Sequence, residues 1–181
     1  IKTVKEQGVG ARLLRKEDAR HLQGKGNFIG NMSMPNISEV AFLRSPLAHA
    51  RITGTRVAKE AENVFLRDSL TGVLDIVADS TLPSYQVSAM PPLAHGKVRY
   101  VGEPVAMAFA PTRAQAEDLT ELVEVDYDDL PVYVDVASAV AATSDLIHEE
   151  WKDNVFVSLS ADKDFDQLVA QAEVVVTRKI N

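Results

Sequence analysis

The chain has 181 residues and a formal net charge of −7, with 46% hydrophobic and 25% charged residues. This composition is ordinary for a soluble globular protein, and the length allows one substantial core or one domain with an appendage. The acidic balance argues against non-specific binding to nucleic acid or to an anionic membrane surface, and no apolar run approaches the roughly 20 residues that span a bilayer.

The sequence contains no cysteine. Disulfides, thiolate catalysis, cysteine zinc sites and iron–sulfur ligation by this chain are therefore excluded. The absence of cysteine fits a reducing compartment, so we expect a cytoplasmic location. The first residues, IKTVKEQG, lack the apolar core of a signal peptide.

The first half of the chain is predicted to form an arm, a short helix and several strands. Gly24 and Gly26 are expected to end the helix, and a phosphate site there is disfavoured because Gly-Lys-Gly lacks the spacing of nucleotide-binding fingerprints. The predicted elements are an arm over 1–10, a helix over 16–22, strands over 38–44, 50–57 and 72–78, a helix over 59–65, and a proline-rich loop over 79–93. Such a long loop is either a functional excursion or a surface docked on something else.

The middle of the chain gives the firmest structural prediction. Residues 104–110, PVAMAFA, are apolar throughout, which is typical of a strand that is covered on both faces. Thr112 and Gln115 have the spacing of a capping box at the start of a helix with one apolar stripe. Residues 123–128 then alternate between apolar and acidic, the period of a strand with one wet face. The pattern predicts a strand–helix–strand unit.

The last part of the chain is predicted to contain an edge strand over 131–134, a helix over 135–142 capped by Asp135, a strand over 154–160, a helix whose capping box pairs Asp164 with Gln167, and a strand over 173–179. A boundary near 141–145 divides the chain into a domain over 1–142 and the first elements of a following domain over 143–181. The final strand has no partner downstream, which indicates a fragment of a larger subunit, or one of several polypeptides that complete it.

The histidines and acidic residues do not form a recognisable reactive site. The four histidines lack the spacing of a zinc site, and no serine lies in a nucleophile elbow. His49 is expected to make a structural hydrogen bond in a turn, and His148, beside two glutamates, is expected to titrate slightly high. The acidic cluster of Glu124, Asp126, Asp128 and Asp129 is interpreted as a solvated strand face rather than a site for a hard cation.

Arg99 and Glu103 bracket Gly102, which allows the backbone to turn there. A buried Arg–Glu pair that orients the loop is favoured over a contact with substrate, because such pairs commonly serve structure. No residue of this chain is predicted to be catalytic, to bind a cofactor or to ligate a metal.

Several short motifs occur in an order that resembles a known family. They are GAR (10–12), GKG (24–26), RSP (44–46), AHARI (48–52), GKVRYVGEPVA (96–106), AED (116–118), LVEVDY (122–127) and LP (130–131). The set resembles the N-terminal a/b hammerhead domain of the molybdenum-binding large subunit of the xanthine dehydrogenase, aldehyde oxidase and carbon monoxide dehydrogenase family. The resemblance implies an α+β (mixed α/β) fold, followed by the start of a molybdenum-cofactor-binding domain.

The resemblance also implies a function for the parent protein. Members are oxidoreductases that hydroxylate a carbon of an aldehyde, purine or N-heterocycle, or oxidise carbon monoxide, with oxygen taken from water. They use a molybdenum–pterin cofactor, with iron–sulfur clusters and FAD on other domains or subunits. The family's catalytic glutamate and cofactor loops lie downstream of this region, so the chain alone is expected to be architectural.

The expected partners are the remaining molybdenum-binding domains, the iron–sulfur subunit and the FAD subunit. The resemblance ranks Arg99, Gly102 and Glu103 first among residues at a functional interface, and its wording leans towards the aldehyde and N-heterocycle branches. Two alternatives stay open, which are a stand-alone scaffold or binding module with the same fold, and a small enzyme that uses the acidic cluster with a metal.

Overall fold

The computed structural model describes residues 8–9, 11, 13–159 and 164–178. The chain divides into two compact units, residues 1–37 and 38–181. The first unit contains helix α1 (Asp18–Leu22), shorter than predicted, and a 3₁₀ turn over Ile29–Asn31. Gly24 follows α1 with a positive φ of 68°, as its predicted role at the helix end requires. The predicted arm over 1–10 lies almost entirely outside the described residues.

The second unit combines antiparallel sheets with short helices. Its strands are β1 (Glu39–Arg44), β2 (Ala50–Val57), β3 (Val64–Phe65), β4 (Ile76–Ala78), β5 (Ser88–Met90), β6 (Lys97–Val98), β7 (Pro104–Ala110) and β8 (Val123–Asp129). Its helices are α2 (Arg113–Glu121), α3 (Val136–Ala141) and α4 (Phe165–Gln171), with a 3₁₀ turn over Arg67–Ser69. Sheet I has the order β1–β7–β3, sheet II has the order β6–β2–β8, and β4 pairs with β5 in a two-stranded ribbon. The predicted mixed α+β class is confirmed.

The predicted strand–helix–strand unit forms, and α2 connects two different sheets. Strand β7 lies at the centre of sheet I, while β8 lies at one edge of sheet II. Thr112 caps α2 by accepting a hydrogen bond from the Gln115 amide at 3.3 Å. The other half of the capping box differs from the prediction, because the Gln115 side chain accepts from the Thr112 hydroxyl, at 2.9 Å, instead of from its amide.

Strand β7 contributes to two small cores. Ala110 packs with Ala41 of β1 and with Ala116 of α2 on one face. Val105, on the other face, packs in a second cluster with residues of sheet II and the loop before β6, namely Ala50, Ala94 and Val98. Farther along this face Phe109 stacks on Phe65 at 5.7 Å between ring centroids and stays half-buried. Strand β7 was predicted to be covered on both faces, but only the face that packs on α2 is fully covered.

The acidic strand face is solvated, as predicted, and it is bound by one arginine. Arg56 of β2 makes ion pairs across the strands with Glu124, at 3.2 Å, and with Asp126. The strand register shifts between Ile52 and Gly54, and a Cβ at Gly54 would lie 2.9 Å from an Asp126 carboxylate oxygen. Within residues 8–159 and 164–178, apart from the undescribed 10 and 12, no three His, Asp or Glu side chains are arranged to hold a metal ion.

The prediction of a helix over 59–65 is wrong. Residues 59–63 form turns, Asn63 takes a positive φ of 63°, and β3 pairs with β7. Only the last three residues of the predicted strand over 72–78 are extended into β4, and the predicted loop over 79–93 contains β5. In each case antiparallel pairing with a distant or following segment decides the conformation, which local propensity cannot show.

Three further strand predictions are wrong within the described residues. No strand forms at 131–134, 154–159 or 173–178, while residues 160 and 179 lie outside the described part. Local pattern predicted these strands, but a strand also needs a partner to complete its ladder, and none of the three segments pairs with a strand among the described residues. The predicted helix after Asp135 is confirmed, with the Ser138 amide donating to the Asp135 carboxylate at 2.9 Å. Helix α4 also forms, but Asp164 makes no side-chain cap bond.

None of the helices in the described part of the chain has the length and hydropathy needed to cross a membrane.

Candidate functional interface

The loop between β6 and β7, residues 99–103, is held tightly against the end of β1. Gly102 has a positive φ of 89°, and its amide donates to the Ser45 carbonyl oxygen at 2.8 Å. Arg44 donates from Nη1 to the Gly102 carbonyl oxygen at 2.8 Å, and the Ser45 amide donates to the Glu103 carbonyl oxygen at 2.9 Å. Three hydrogen bonds thus fix the loop to Arg44, the last residue of β1, and to Ser45, which follows it.

The Glu103 side chain bonds the first residue of the same loop. Its side chain is buried, and Oε2 accepts from the Arg99 backbone amide at 2.5 Å. The Glu103 amide donates to the Tyr100 carbonyl oxygen at 3.2 Å. A carboxylate that satisfies a backbone amide across four residues fixes the turn between them.

The predicted pair between the Arg99 and Glu103 side chains does not form. Glu103 still orients the loop, through the Arg99 backbone amide. The Arg99 guanidinium donates from Nε to the Ile147 carbonyl oxygen at 3.2 Å, whereas the Glu103 carboxylate accepts from the Arg99 backbone amide. The group of Arg99 that bonds the Glu103 carboxylate is its backbone amide and not its guanidinium. The structure therefore brings Arg99, Gly102 and Glu103 together in one rigid loop.

The outer surface of this loop is apolar. Tyr100 is 47% exposed and Val101 is 65% exposed, although the Tyr100 carbonyl oxygen is bonded to the Glu103 amide. A rigid tip that presents an aromatic ring and an aliphatic side chain is suited to contact with another protein surface, since little conformational entropy is lost on binding. The Glu103 carboxylate and the Gly102 amide and carbonyl oxygen are already used in internal hydrogen bonds.

Lys97 of β6 binds the segment that follows α3. Its side chain is buried, and Nζ donates to the Leu146 carbonyl oxygen at 2.5 Å and lies 3.6 Å from the Glu149 carboxylate. Burial lowers the pKa of the Lys97 ammonium, and the Glu149 charge opposes that shift. Arg51 of β2 reaches the same Glu149 oxygen at 3.0 Å. Two cations of sheet II therefore hold residues 146–149.

Gln86 holds the continuation of the same segment. Its amide group donates to the Val155 carbonyl oxygen at 2.6 Å and to the Asp153 carboxylate at 3.1 Å, and it accepts from the Lys152 amide at 3.2 Å. The Gln86 backbone amide donates to the Phe156 carbonyl oxygen at 2.7 Å. The Gln86 side chain thus bonds backbone groups of Lys152 and Val155, and its backbone amide bonds the carbonyl oxygen of Phe156.

His49 makes the structural hydrogen bond that was predicted, though to a distant partner. Its ring is buried, and Nδ1 lies 2.6 Å from the Pro131 carbonyl oxygen, an arrangement that makes Nδ1 the donor. Nε2 is buried without a hydrogen-bond partner among the described residues. Burial lowers the pKa of His49, although the hydrogen bond to Pro131 opposes that shift.

The prediction that His148 titrates slightly high is wrong, because its pKa is lowered. The ring stacks on Trp151 with 4.1 Å between centroids and is largely buried, instead of lying on the surface. Burial and the nearby Arg99 charge lower its pKa, and they outweigh the effect of Glu150 at 3.6 Å. Neighbouring glutamates in the sequence did not reveal this burial.

Residues 23–131, more than half of the chain, match the family model described as aldehyde oxidase and xanthine dehydrogenase, a/b hammerhead domain. The chain belongs to this hammerhead domain family. The chain is 36% identical to the nicotine 6-hydroxylase large subunit of Paenarthrobacter nicotinovorans over 93% of its own length and 21% of that protein. It is 35% identical to the carbon monoxide dehydrogenase large chain of Afipia carboxidovorans, over 83% of its own length and 19% of that protein.

A solved structure agrees with these relatives. The hammerhead chain matches the crystal structure of Cu,Mo-CO dehydrogenase in its carbon monoxide reduced state with a TM-score of 0.68 and 32% identity. That match covers 93% of this chain and 23% of the other. The chain therefore spans about a fifth of the length of the relatives that it matches.

Four of the motifs that carried the resemblance, RSP, AHARI, GKVRYVGEPVA and LP, make pairwise contacts within the second unit. Ser45 bonds the loop of Gly102 and Glu103, as described above. His49 bonds Pro131 through its ring, and its carbonyl oxygen accepts from the Leu130 amide at 3.0 Å. Motifs separated by 50–80 positions in sequence therefore meet in one part of the unit.

Replacing Gly102 with alanine is expected to destabilise the hammerhead domain by about 1–2 kcal/mol, because side chains rarely adopt a φ of 89°. No atom lies within 4 Å of the new Cβ, so backbone strain alone sets the cost. Urea unfolding measures the change. Gly30→Ala is the matched control, since its Cβ also meets open space and its φ is not positive. Equal losses in both variants would contradict the prediction.

Stability is expected to fall as the pH decreases from 6.5 to 5. The pKa values of His49 and His148 are lowered below 6.5 in the folded chain, so the unfolded chain binds more protons in this range. Their contribution is complete above pH 6.5 and is lost progressively below it. The carboxylates with lowered pKa, which are Asp126, Asp135 and Glu149, have ordinary values no higher than 4.5 and act at lower pH.

Urea unfolding at pH 7.5, 6 and 5 measures this dependence. His148→Phe keeps an aromatic ring against Trp151 but cannot be protonated, so it should lose less stability than the wild type over this range. Identical pH profiles for the two proteins would assign the dependence to groups other than His148.

Proposed function

We propose that this hammerhead domain is part of the large subunit of a molybdenum hydroxylase. The observation that carries the proposal is the family match over residues 23–131, combined with coverage of about a fifth of each relative. The relatives include a nicotine hydroxylase large subunit and a carbon monoxide dehydrogenase large chain. The parent reaction is hydroxylation of an aldehyde, purine or N-heterocycle carbon, or oxidation of carbon monoxide, with oxygen from water.

The proposed cofactor of the parent protein is molybdenum bound to a pterin, with iron–sulfur clusters and FAD on other domains or subunits. A solved structure that this chain resembles is named for copper and molybdenum. The described residues of this chain do not fit such a group. They present no metal-holding cluster, and the loop donors from Arg44 and Gly102 are committed to internal carbonyl oxygens. We therefore assign no chemical step to this segment.

Its proposed role is to hold a docking surface in a fixed shape. The loop of Arg99, Gly102 and Glu103 would contact the molybdenum-binding body or the iron–sulfur subunit, and the FAD subunit is a further proposed partner. The rigid loop with exposed Tyr100 and Val101 supports this role. The acidic net charge supports a protein partner over nucleic acid.

The division into domains over 1–142 and 143–181 stays a prediction, as does the cytoplasmic location inferred from the lack of cysteine. Contacts across residue 142 bear on where the second domain begins. Lys97 and Gln86 bind carbonyl oxygens at 146 and 155, so residues 146–156 are attached to the hammerhead unit. Limited proteolysis of the intact protein would locate the boundary by the first cleavage after residue 142.

Native mass spectrometry with metal analysis tests the proposal on protein purified gently from its source. A large complex that contains molybdenum and iron, with this sequence inside one of its chains, is the expected result. A metal-free monomer near 20 kDa whose gene ends at Asn181 would overturn the proposal and leave the stand-alone scaffold. The third alternative, an enzyme that uses the acidic cluster, requires metal binding that Asp126→Asn abolishes.

A further inference from the structure

A cavity of about 300 Å³ lies between three segments of the second unit. The segments are the one that leads into β5, the one that leads into α3, and the one over residues 146–156. Five rings contribute to the wall of the cavity, those of Tyr85, Tyr133, His148, Trp151 and Phe156. Cavities of this size with predominantly apolar and aromatic walls are the usual sites of small-molecule ligands.

Four of these rings form two packed pairs. His148 stacks on Trp151 with 4.1 Å between centroids, and Tyr85 meets Phe156 edge to face at 6.1 Å. Rings of this kind pack favourably on a further flat ring, through offset or edge-to-face contacts. The wall therefore favours an aromatic ligand.

The wall also favours a ligand without charge. Among the described residues, the cavity is lined by no carboxylate, ammonium or guanidinium group. Burial lowers the pKa of His148, which disfavours the charged form of its ring. An ionic ligand would lose its hydration in this cavity without gaining an ion partner.

The walls are held in a fixed shape by bonds between the three segments. The Asn154 amide group donates to the Ala139 carbonyl oxygen of α3 at 3.2 Å, and the bonds of Gln86 described above join the first segment to the third. Ser84 and Asp145, which lie close to wall residues in the chain, take positive φ values of 58° and 51°. Such conformations persist only where surrounding contacts enforce them, and they cluster at ligand sites. A pre-formed cavity lowers the entropic cost of binding.

We propose that this cavity binds a bicyclic aromatic molecule that carries no charge. Volume sets the size of the ligand, since an apolar cavity of about 150 Å³ holds benzene and this cavity has about twice that volume. The inference does not rest on the proposed function, because every residue of the wall belongs to the described part of this chain.

Calorimetric titration of the intact protein, produced from its complete gene, uses indole as the probe. Indole should bind, and Ala139→Leu should weaken the binding about tenfold or more, because the larger side chain fills part of the cavity. Ala137→Leu, the same change at an exposed position of α3, is the matched control and should bind indole as the wild type does.

Hydrogen exchange on the wild type locates the ligand without any substitution. Bound indole should slow exchange at the amides of residues 146–156, because a ligand stabilises the closed form of the segment that it contacts. Equal affinity for indole in Ala139→Leu and in the wild type would overturn the proposal, since the ligand would then lie elsewhere. Unchanged exchange at 146–156 would also overturn it, and is the result expected if another part of the intact protein already fills the cavity.

Discussion

Replacing Glu103 with alanine is expected to lower the free energy of unfolding by about 2–3 kcal/mol, because the Arg99 amide then loses a buried, charged acceptor. The loop 99–103 should also lose its fixed shape, since the carboxylate spans its turn. Urea unfolding gives the free energy, and hydrogen exchange at the amides of residues 99–103 reports the loop. The proposed docking surface would be disordered as a consequence.

Two variants separate the acceptor from other effects of this substitution. Glu103→Gln keeps the side-chain volume and one carbonyl acceptor, so it should lose clearly less stability than Glu103→Ala. Glu62→Ala removes an exposed carboxylate and should be within about 0.5 kcal/mol of the wild type. If alanine and glutamine at position 103 cost the same, the hydrogen bond to Arg99 is not what stabilises the loop.

Replacing Gln86 with alanine is expected to release residues 152–156 from the hammerhead unit at a cost of about 2 kcal/mol. The substitution removes the side-chain bonds to Val155, Asp153 and Lys152, each worth about 0.5–1.5 kcal/mol. Release should appear as faster hydrogen exchange at residues 152–156, with protection in β7 unchanged, because the opening is local.

Trp151 provides a second readout of this release. Its indole donates to the Val87 carbonyl oxygen at 2.7 Å, and its ring stacks on His148, so its fluorescence should shift when the segment detaches. Gln167→Ala, an exposed change on α4, is the control and should leave both signals unaltered. Unchanged exchange at 152–156 in Gln86→Ala would mean that the remaining contacts, among them the indole bond of Trp151 and the Gln86 backbone bond to Phe156, hold the segment.

The candidate interface was only partly readable from sequence. Gly102 could be recognised because a glycine between Arg99 and Glu103 marks a turn, and the family resemblance ranked all three. The partner of Glu103 could not be recognised, since an amide of the backbone leaves no sequence signal. Gln86 had no signal at all, because a glutamine in a proline-rich loop is ordinary unless the segment that it binds is known.

The sequence by itself determined the elements whose information is local, and it determined the family. The uninterrupted apolar run of β7, the cap of α2 by Thr112 and the alternation of β8 each depend on residues that are neighbours in the chain, and all three elements formed. Only the second bond of the capping box and the cover on one face of β7 differ from the prediction. The hammerhead family followed from short motifs in a fixed order.

Only the tertiary structure decided which segments pair and which charges are buried. Residues 59–65 carry a helical pattern, yet β3 forms because β7 offers an edge there. Residues 154–159 alternate like a strand, yet the Gln86 side chain occupies backbone groups at 153 and 155. The protonation of His148 depends on its burial against Trp151. Pairing, ladder completion and desolvation all arise between residues that are distant in sequence, so no local pattern contains them.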